Sequence, residues 1–471
     1  MMDAKQMKFG VVLTGAGGPG HPKTWLDEDL PLDSSVDIDW YTEYARLAED
    51  AKLDLVFIVD SQFITPSSPP HYLNRLEPLT LLSALAARTT HIGLVGTATT
   101  SYNEPFTLAR QFASLDLISH GRAGWNVVTT GDGGTARNYG RDEHFDYDTR
   151  YGRAHEHVGV VRGLWDSYED DAFPRDRSTG QFLDPTKQHR LDHRGEFLSV
   201  EGPLNIVRSA QGQPVIFQAG DSDQGRDLGA AVGECVFTHA ASAEQARTFR
   251  EDLRARTAAK GRDVDGILIL PGIQFFIGDT DEDARQQERE AQALDWDFDR
   301  ALAEFGRSFG WHDFSQYDPD APFPAETYAL GQSSWKTQTD RIRALVEAEG
   351  LTLRQTVERT SAPKPGYFVG SAETVADRLQ EWFEAGASDG FLLHMAQPRH
   401  FRRFVAEVLP ILRERGLFRS EYESTTLRGN LGLPVPENRY TAARRDQQDR
   451  LEVRDEPAPS LQSAGTTGTG A

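Results

Sequence analysis

With one cysteine, Cys235, among 471 residues, the chain can close no disulfide within itself. Nowhere does it carry about 18 consecutive apolar residues, the length a membrane-spanning helix requires. Its opening, MMDAKQMKFG, lacks the apolar core of a secretory signal, so the expectation is a cytoplasmic protein without membrane contact. Positive charge is scarce too: 50 Lys and Arg face 72 Asp and Glu, a formal charge of -22. Such a surface repels phosphate backbones, which argues against nucleic acid as a partner and obliges any anionic ligand to find a local positive site. Converging carboxylates are few and a Ser-His-Asp spacing is missing, so there is no strong case for hydrolysis by the protein's own groups.

What is present is alternation. Strand-like runs occur at 8–15, 53–60, 91–99, 121–130, 214–220, 234–239, 267–278 and 389–395, and helical periods separate most of them. Among the expected helices are 37–52, 77–88, 104–118, 150–165, 398–415 and one from Thr280 past Ala301. Pro271 and Gly272 should bend or bulge the seventh run. Eight strands alternating with helices is the count of a (β/α)8 barrel, the TIM barrel. A doubly wound sheet would also alternate, with a G-x-G-x-x-G turn after its first strand. GAGGPG at 15–20 has that spacing, but Pro19 and the HPKTW behind it do not begin the helix that would hold a phosphate.

The pattern lapses near 167–213, where a hairpin around GEFLSVEG is expected, and near 304–365, where one helix is expected at 351–359. Both read as insertions in a single barrel domain spanning 1–440. Residues 441–471 read as a polar, disordered tail.

In a barrel of this kind functional groups stand at the C-terminal ends of the strands. Here that rule selects Asp60, Thr97, Asn126, Thr129, Ser222, Gln274 and His394. The segment AGDSDQGRDLG, 219–229, is the best anion site, because Gly220 and Ser222 offer N–H groups and a hydroxyl where a helix begins. The same residues would serve equally as plain helix caps. Arg137, Asn138 and Tyr151 are candidates to complete a phosphate or ribityl pocket. His21 and His394, on strand-end loops, are candidate proton donors, since histidine titrates near neutrality. His155 and His157 point to opposite sides of a helix, and His189 and His193 have no third ligand beside them, so no metal site is expected.

The stretches LEPLTLLSALAARTTHIGLVGTATTSYNEPFTLARQFASLDLISHGRAGWNVVTT, ARNYG, RYGRAHEHV, AGDSDQGRDLGA and LPILRERGLFRSEYESTTLRGNLGLPVPENR together resemble one family. It is the flavin-dependent monooxygenases of the bacterial luciferase-like superfamily, in the nitrilotriacetate and dibenzothiophene-sulfone monooxygenase group. The resemblance implies a luciferase-like (β/α)8 barrel, a homodimer or homotetramer, and FMN delivered as FMNH2 by a separate NAD(P)H:flavin reductase, with O2 as co-substrate. It further implies that one oxygen atom is inserted into a small organic substrate. Asp60, Thr97 and Asn126 would meet the flavin ring, and Tyr151 and Ser222 its phosphate; Tyr147 stands where the family usually has histidine. A deazaflavin-dependent oxidoreductase on the same barrel and a non-catalytic flavin-binding protein are the alternatives. Neither insertion shows a dense cluster of Lys and Arg to hold several carboxylates, although Arg175, Arg177, Lys187 and Arg190 could help, so the expectation inclines weakly to an apolar or aromatic, sulfone-like substrate.

Overall fold

Runs such as GVV, LVFI and VIFQ are apolar on both faces, which suits a parallel strand covered by helices outside and side chains inside. The computed structural model, which describes residues 5–18, 21–66, 68–332, 335–361, 364–395 and 397–455, shows that arrangement closed into a barrel. Its strands are β1 (Lys8–Val12), β2 (Leu55–Ile58), β3 (Gly93–Thr99), β4 (Ala123–Val128), β5 (Val215–Gln218), β6 (Cys235–Thr238), β7 (Leu268–Ile277) and β8 (Gly390–His394). Each pairs in parallel with the next, and β8 returns to β1. Pro271 does not break β7. It sits where the strand passes from its pairing with β6, at Thr238, to its pairing with β8, which begins at Gly272. Beyond that point β7 also pairs with a short strand, Phe368–Gly370, absent from the expected set because its three residues carry no periodicity.

Helices Ile38–Asp50, Pro78–Ala86, Pro105–Ile118, Tyr147–Trp165, Asp223–Val232 and Ala372–Glu384 lay apolar faces on the outside of the barrel. Arg122 ties this layer to β4. Fully buried, its guanidinium donates to the carbonyls of Ser119, Ile92, Thr89 and Ala86 at 2.7 to 3.1 Å, so its charge is spread over carbonyls left over at helix ends. The turn before it needs Gly121, whose φ is +89°.

Inside the barrel, Val12, Leu55, Phe57, Val95, Phe217 and Leu392 meet Leu427, Leu431 and Leu433 from the C-terminal segment. That segment plugs the end where strands start: a Cβ on Gly93 would lie 2.4 Å from Leu427 Cδ1. The opposite end is thereby left for the site.

The first insertion holds the expected hairpin, His193–Arg194 against Ser199–Val200. The second is richer than expected. The helix after β7 stops at Asp295 and a separate one covers Phe298–Phe305, because Trp296 and Asp297 adopt extended backbone and Asp297 caps the new helix. Phe305, Phe309, Phe314 and Phe323 stack with ring centres 5.1 to 6.1 Å apart, closed over by helices Lys336–Glu349 and Leu353–Ser361. Residues 439–455 form a helix, so the tail expected to be disordered over 441–471 is helical as far as 455; its remainder lies outside the described residues. Glu169 anchors its start by accepting from Arg444 and from Thr441 Oγ1, contacts that sequence distance concealed.

Candidate active site

The strand tips open into a cavity of 610 Å³, within the range of roughly 300–1,000 Å³ usual for small-molecule sites. Its floor follows from register. Thr97 of β3 pairs with Asn126 of β4, and alternation turns both inward at the same level. Asn126 Nδ2 donates to Thr97 Oγ1 at 2.9 Å, while Asn126 Oδ1 is buried with no partner. Gln218 Oε1, at the tip of β5, is likewise a buried acceptor without a donor. An unpaired buried acceptor is costly, and a ligand N–H or O–H would relieve it.

Asp60, two residues past β2, lines the same wall. Burial pushes its carboxyl up to about 6, against the opposing Arg75 charge and the Ser61 N–H. Between about pH 4, where an exposed carboxyl titrates, and pH 6 the folded chain keeps a proton the unfolded chain has lost, so stability falls as pH rises through that window. Asp60→Asn should abolish this slope, leaving the variant equal to the parent at pH 4 and more stable above pH 6. Urea midpoints across pH 4 to 7 measure it; parallel curves for the two proteins would refute the assignment.

The other wall is a helix start. Ser222 caps helix Asp223–Val232 by accepting from Gly225 N–H at 3.0 Å, and the Tyr151 hydroxyl lies 3.4 Å from Ser222 Oγ. Gly220 has to be glycine, since a Cβ there would stand 2.8 Å from Gly225 Cα. Tyr147 packs 5.0 Å from Tyr151, and burial together with that neighbour pushes its phenol up to about 12. Buried Arg150 lies 5.3 Å from the Tyr147 ring centre and donates to the Thr130 carbonyl.

A third side comes from the second insertion. Arg307 sits between Tyr72 and Trp335, 4.8 and 4.9 Å from their ring centres, and donates to the Tyr72 hydroxyl at 2.9 Å. It also pairs with Asp132 in the loop after β4 at 3.3 Å, where Trp311 Nε1 donates at 3.1 Å. Burial works against the Arg307 charge, but Tyr72 and Asp132 outweigh it and raise the pKa.

Asp60, Thr97, Asn126, Tyr147, Tyr151, Gly220 and Ser222 thus share one cavity, with Thr129. Other nominated residues lie elsewhere. Arg137 and Asn138 are exposed on the short helix Thr135–Asn138, and Asn138 Nδ2 is spent on the Gln62 carbonyl at 2.8 Å. His21 is outside the cavity: its Nδ1 lies 3.0 Å from Asp295, which also accepts from Lys23 N–H and so fastens the loop after β1. His394 packs against the Phe237 ring, 5.8 Å away, and that ring, not His394, faces the cavity; burial and then His239 lower its pKa to about 4. Gln274 does not line the cavity, nor do Arg175, Arg177, Lys187 and Arg190. His189 and His193 each pair with a different carboxylate, Glu169 and Glu156.

Several lining residues escaped the sequence. His239 ends the run ECVFTH, so the strand-end rule already pointed to it. Asp132 follows the tip of β4 closely enough to have been found the same way. Tyr72, Arg307, Lys336 and Arg341 had no such signal, because loops and an insertion bring them there.

A (β/α)8 barrel with a polar floor at its strand tips and a capped helix start beside it has the layout of an enzyme site. The model of the luciferase-like monooxygenase family matches residues 7–389. N-acetyl-S-(2-succino)cysteine monooxygenase of Bacillus subtilis (strain 168) is 44% identical over 438 residues, 93% of this chain and 98% of that protein. Nitrilotriacetate monooxygenase component A of Aminobacter aminovorans is 39% identical over 452 residues, covering 92% and 98%. The crystal structure of riboflavin lyase with modified FMN and riboflavin superposes with a TM-score of 0.81 at 35% identity, over 92% of this chain and 97% of that one. The chain belongs to the luciferase-like monooxygenase family. It is a two-component FMNH2-dependent monooxygenase, and the deazaflavin and storage alternatives give way to that assignment.

Proposed function

We propose that reduced FMN occupies this cavity with its ring against Asp60, Thr97 and Asn126 and its phosphate on Gly220, Ser222 and Tyr151. The observation that carries the reading is the unpaired Asn126 Oδ1, a buried acceptor opposite a helix start, in a cavity of suitable size. Reduced isoalloxazine offers ring N–H donors that this acceptor lacks. The helix start gives its dipole and free N–H groups to a phosphate, and the Tyr151 and Ser222 hydroxyls add donors. Tyr147, in the place of the family's usual histidine, adds a phenol that stays protonated at neutral pH.

When bound, the reduced flavin supplies the electrons with which O2 is activated. The chain's own residues do the rest. Arg307, with Tyr72 and Trp335 on either side of it, walls one side of the cavity and limits water. His239 is the one histidine among the lining residues. Its ring is exposed at the cavity, where desolvation by the surrounding walls lowers its pKa, Asp221 opposing and Arg341 assisting; this favours the neutral ring, which can accept and return a proton. The nitrilotriacetate relative is by its name one component of its enzyme, which fits a protein that receives its flavin from a separate reductase.

Anaerobic titration with dithionite-reduced FMN, followed by O2 uptake with a generic flavin reductase, tests the site. Asn126→Leu should weaken binding of reduced FMN; unchanged affinity would remove Asn126 from the site. His239→Ala should leave that affinity within about threefold while raising hydrogen peroxide released per O2 consumed; His394→Ala should change the ratio less. The reverse ranking would return the proton role to His394.

A further inference from the structure

Four cationic side chains line the cavity of a chain whose formal charge is -22: Arg150, Arg307, Lys336 and Arg341. Two are committed, Arg307 to Asp132 and Tyr72, and Arg150 to the Thr130 carbonyl. Lys336 and Arg341 are different. Both are exposed on the first turns of helix Lys336–Glu349, and neither has a carboxylate partner among the described residues. Lys336 Nζ lies 5.9 Å from the Tyr147 ring centre, and the Arg341 charge is felt at His239. They therefore flank the cavity from its phosphate side to its proton-handling side. These four cations outnumber the three carboxylates among the lining residues: Asp132 is paired with Arg307, Asp60 faces the Arg75 charge, and Asp221 accepts from the neutral Thr238 hydroxyl at 3.0 Å.

Resting on the oxygenase reading of this cavity, we propose that Lys336 and Arg341 select a substrate bearing carboxylates, with Arg341 the principal anchor beside His239. A negatively charged protein disfavours an anionic substrate unless cations wait at the site itself. A guanidinium fork matches a carboxylate with two parallel hydrogen bonds, and the flavin phosphate already has a cradle at Gly220 and Ser222. The second insertion thus sets specificity, and the cations it carries favour an anionic substrate over the apolar one expected from sequence.

Phosphate would be drawn by the same charges, so the test separates the two anions. FMN-loaded protein is titrated by calorimetry with propane-1,2,3-tricarboxylate and with its trimethyl ester, and both FMN and riboflavin affinities are measured. The parent should bind the triacid and not the ester; Arg341→Gln should weaken triacid binding by about tenfold or more, the loss of one charge-assisted hydrogen bond, and Lys336→Gln by less. FMN and riboflavin affinities should stay within about twofold in both variants. Absence of triacid binding to the parent overturns the proposal. So does a variant that loses FMN affinity while keeping that for riboflavin, since the cations would then serve the phosphate. FMNH2-driven oxygenation is scored separately with nitrilotriacetate and dibenzothiophene sulfone. Preference of the parent for the sulfone, unaltered by Arg341→Gln, sinks the specificity claim and leaves the oxygenase reading standing. Triacid binding with no oxygenation of either compound counts against the oxygenase reading as applied to these probes, while the anion site stands on the calorimetry.

Discussion

Arg428→Met should lower the free energy of unfolding by about 3–5 kcal/mol, the cost of stranding one partner of a buried ion pair. Arg428 is fully buried at the closed end of the barrel, where its two terminal nitrogens meet the Glu234 carboxylate at 2.6 and 3.1 Å. The same nitrogens donate to the carbonyls of Pro434 and Gln213, both at 3.1 Å, and Glu234 accepts from Ile216 N–H at 2.9 Å. One guanidinium therefore staples the C-terminal plug to β5 and β6.

The pH dependence carries a sign. Burial alone would raise the Glu234 pKa, but Arg428 outweighs it, with Arg162 and the Ile216 N–H, and the net shift is downward. A depressed carboxyl contributes stability that is present above its unfolded pKa of about 4.3 and is lost as pH falls through the folded value. In Arg428→Met burial outweighs the remaining Arg162 and Ile216 N–H, so Glu234 protonates more readily and the deficit should be widest at pH 7 and narrower at pH 4. Urea denaturation at both values checks this. A deficit under about 1 kcal/mol, or one that widens in acid, would mean the pair does not staple the fold. The double variant Arg428→Met with Glu234→Leu should recover most of the loss, because the charge left behind is then gone.

Gly220→Val is expected to weaken FMN binding by about a hundredfold, equivalent to about 2.7 kcal/mol. A side chain there meets Gly225 Cα, which is backbone and cannot swing away, so the first turn of helix Asp223–Val232 must shift and its N–H groups lose their aim. Phosphate hydrogen bonds to such groups are worth about 1.5–3 kcal/mol each. Riboflavin, which has no phosphate, should lose far less affinity than FMN, and flavin fluorescence quenching measures both. Equal loss for the two would show that the phosphate lies elsewhere. Ser222→Ala is the milder companion: it removes the cap on Gly225 and the contact with Tyr151, and should cost helix stability of about 1 kcal/mol besides FMN affinity.

Much of the site was legible because a barrel places every strand tip on one rim. Asp60, Thr97, Asn126 and Ser222 come from chain positions up to 162 residues apart (222 − 60), yet alternation and strand ends alone brought them to a single cavity. His21 failed for a specific reason. Its loop folds back to Asp295, 274 positions further along the chain, a contact that no local pattern around His21 announced. Arg137 and Asn138 failed because a loop residue near a site has no periodicity to say which way it faces.

From sequence alone came the eight strands, the polar rim, the helix start beside it and the family, since each depends on local pattern or on long matched stretches. Only tertiary structure decided which histidine faces the cavity, what plugs the barrel's other end, and where its positive charge originates. Those outcomes rest on contacts between residues far apart in the chain, 194 positions for Arg428 with Glu234 and 175 for Arg307 with Asp132, and such contacts arise when packing brings separate segments together.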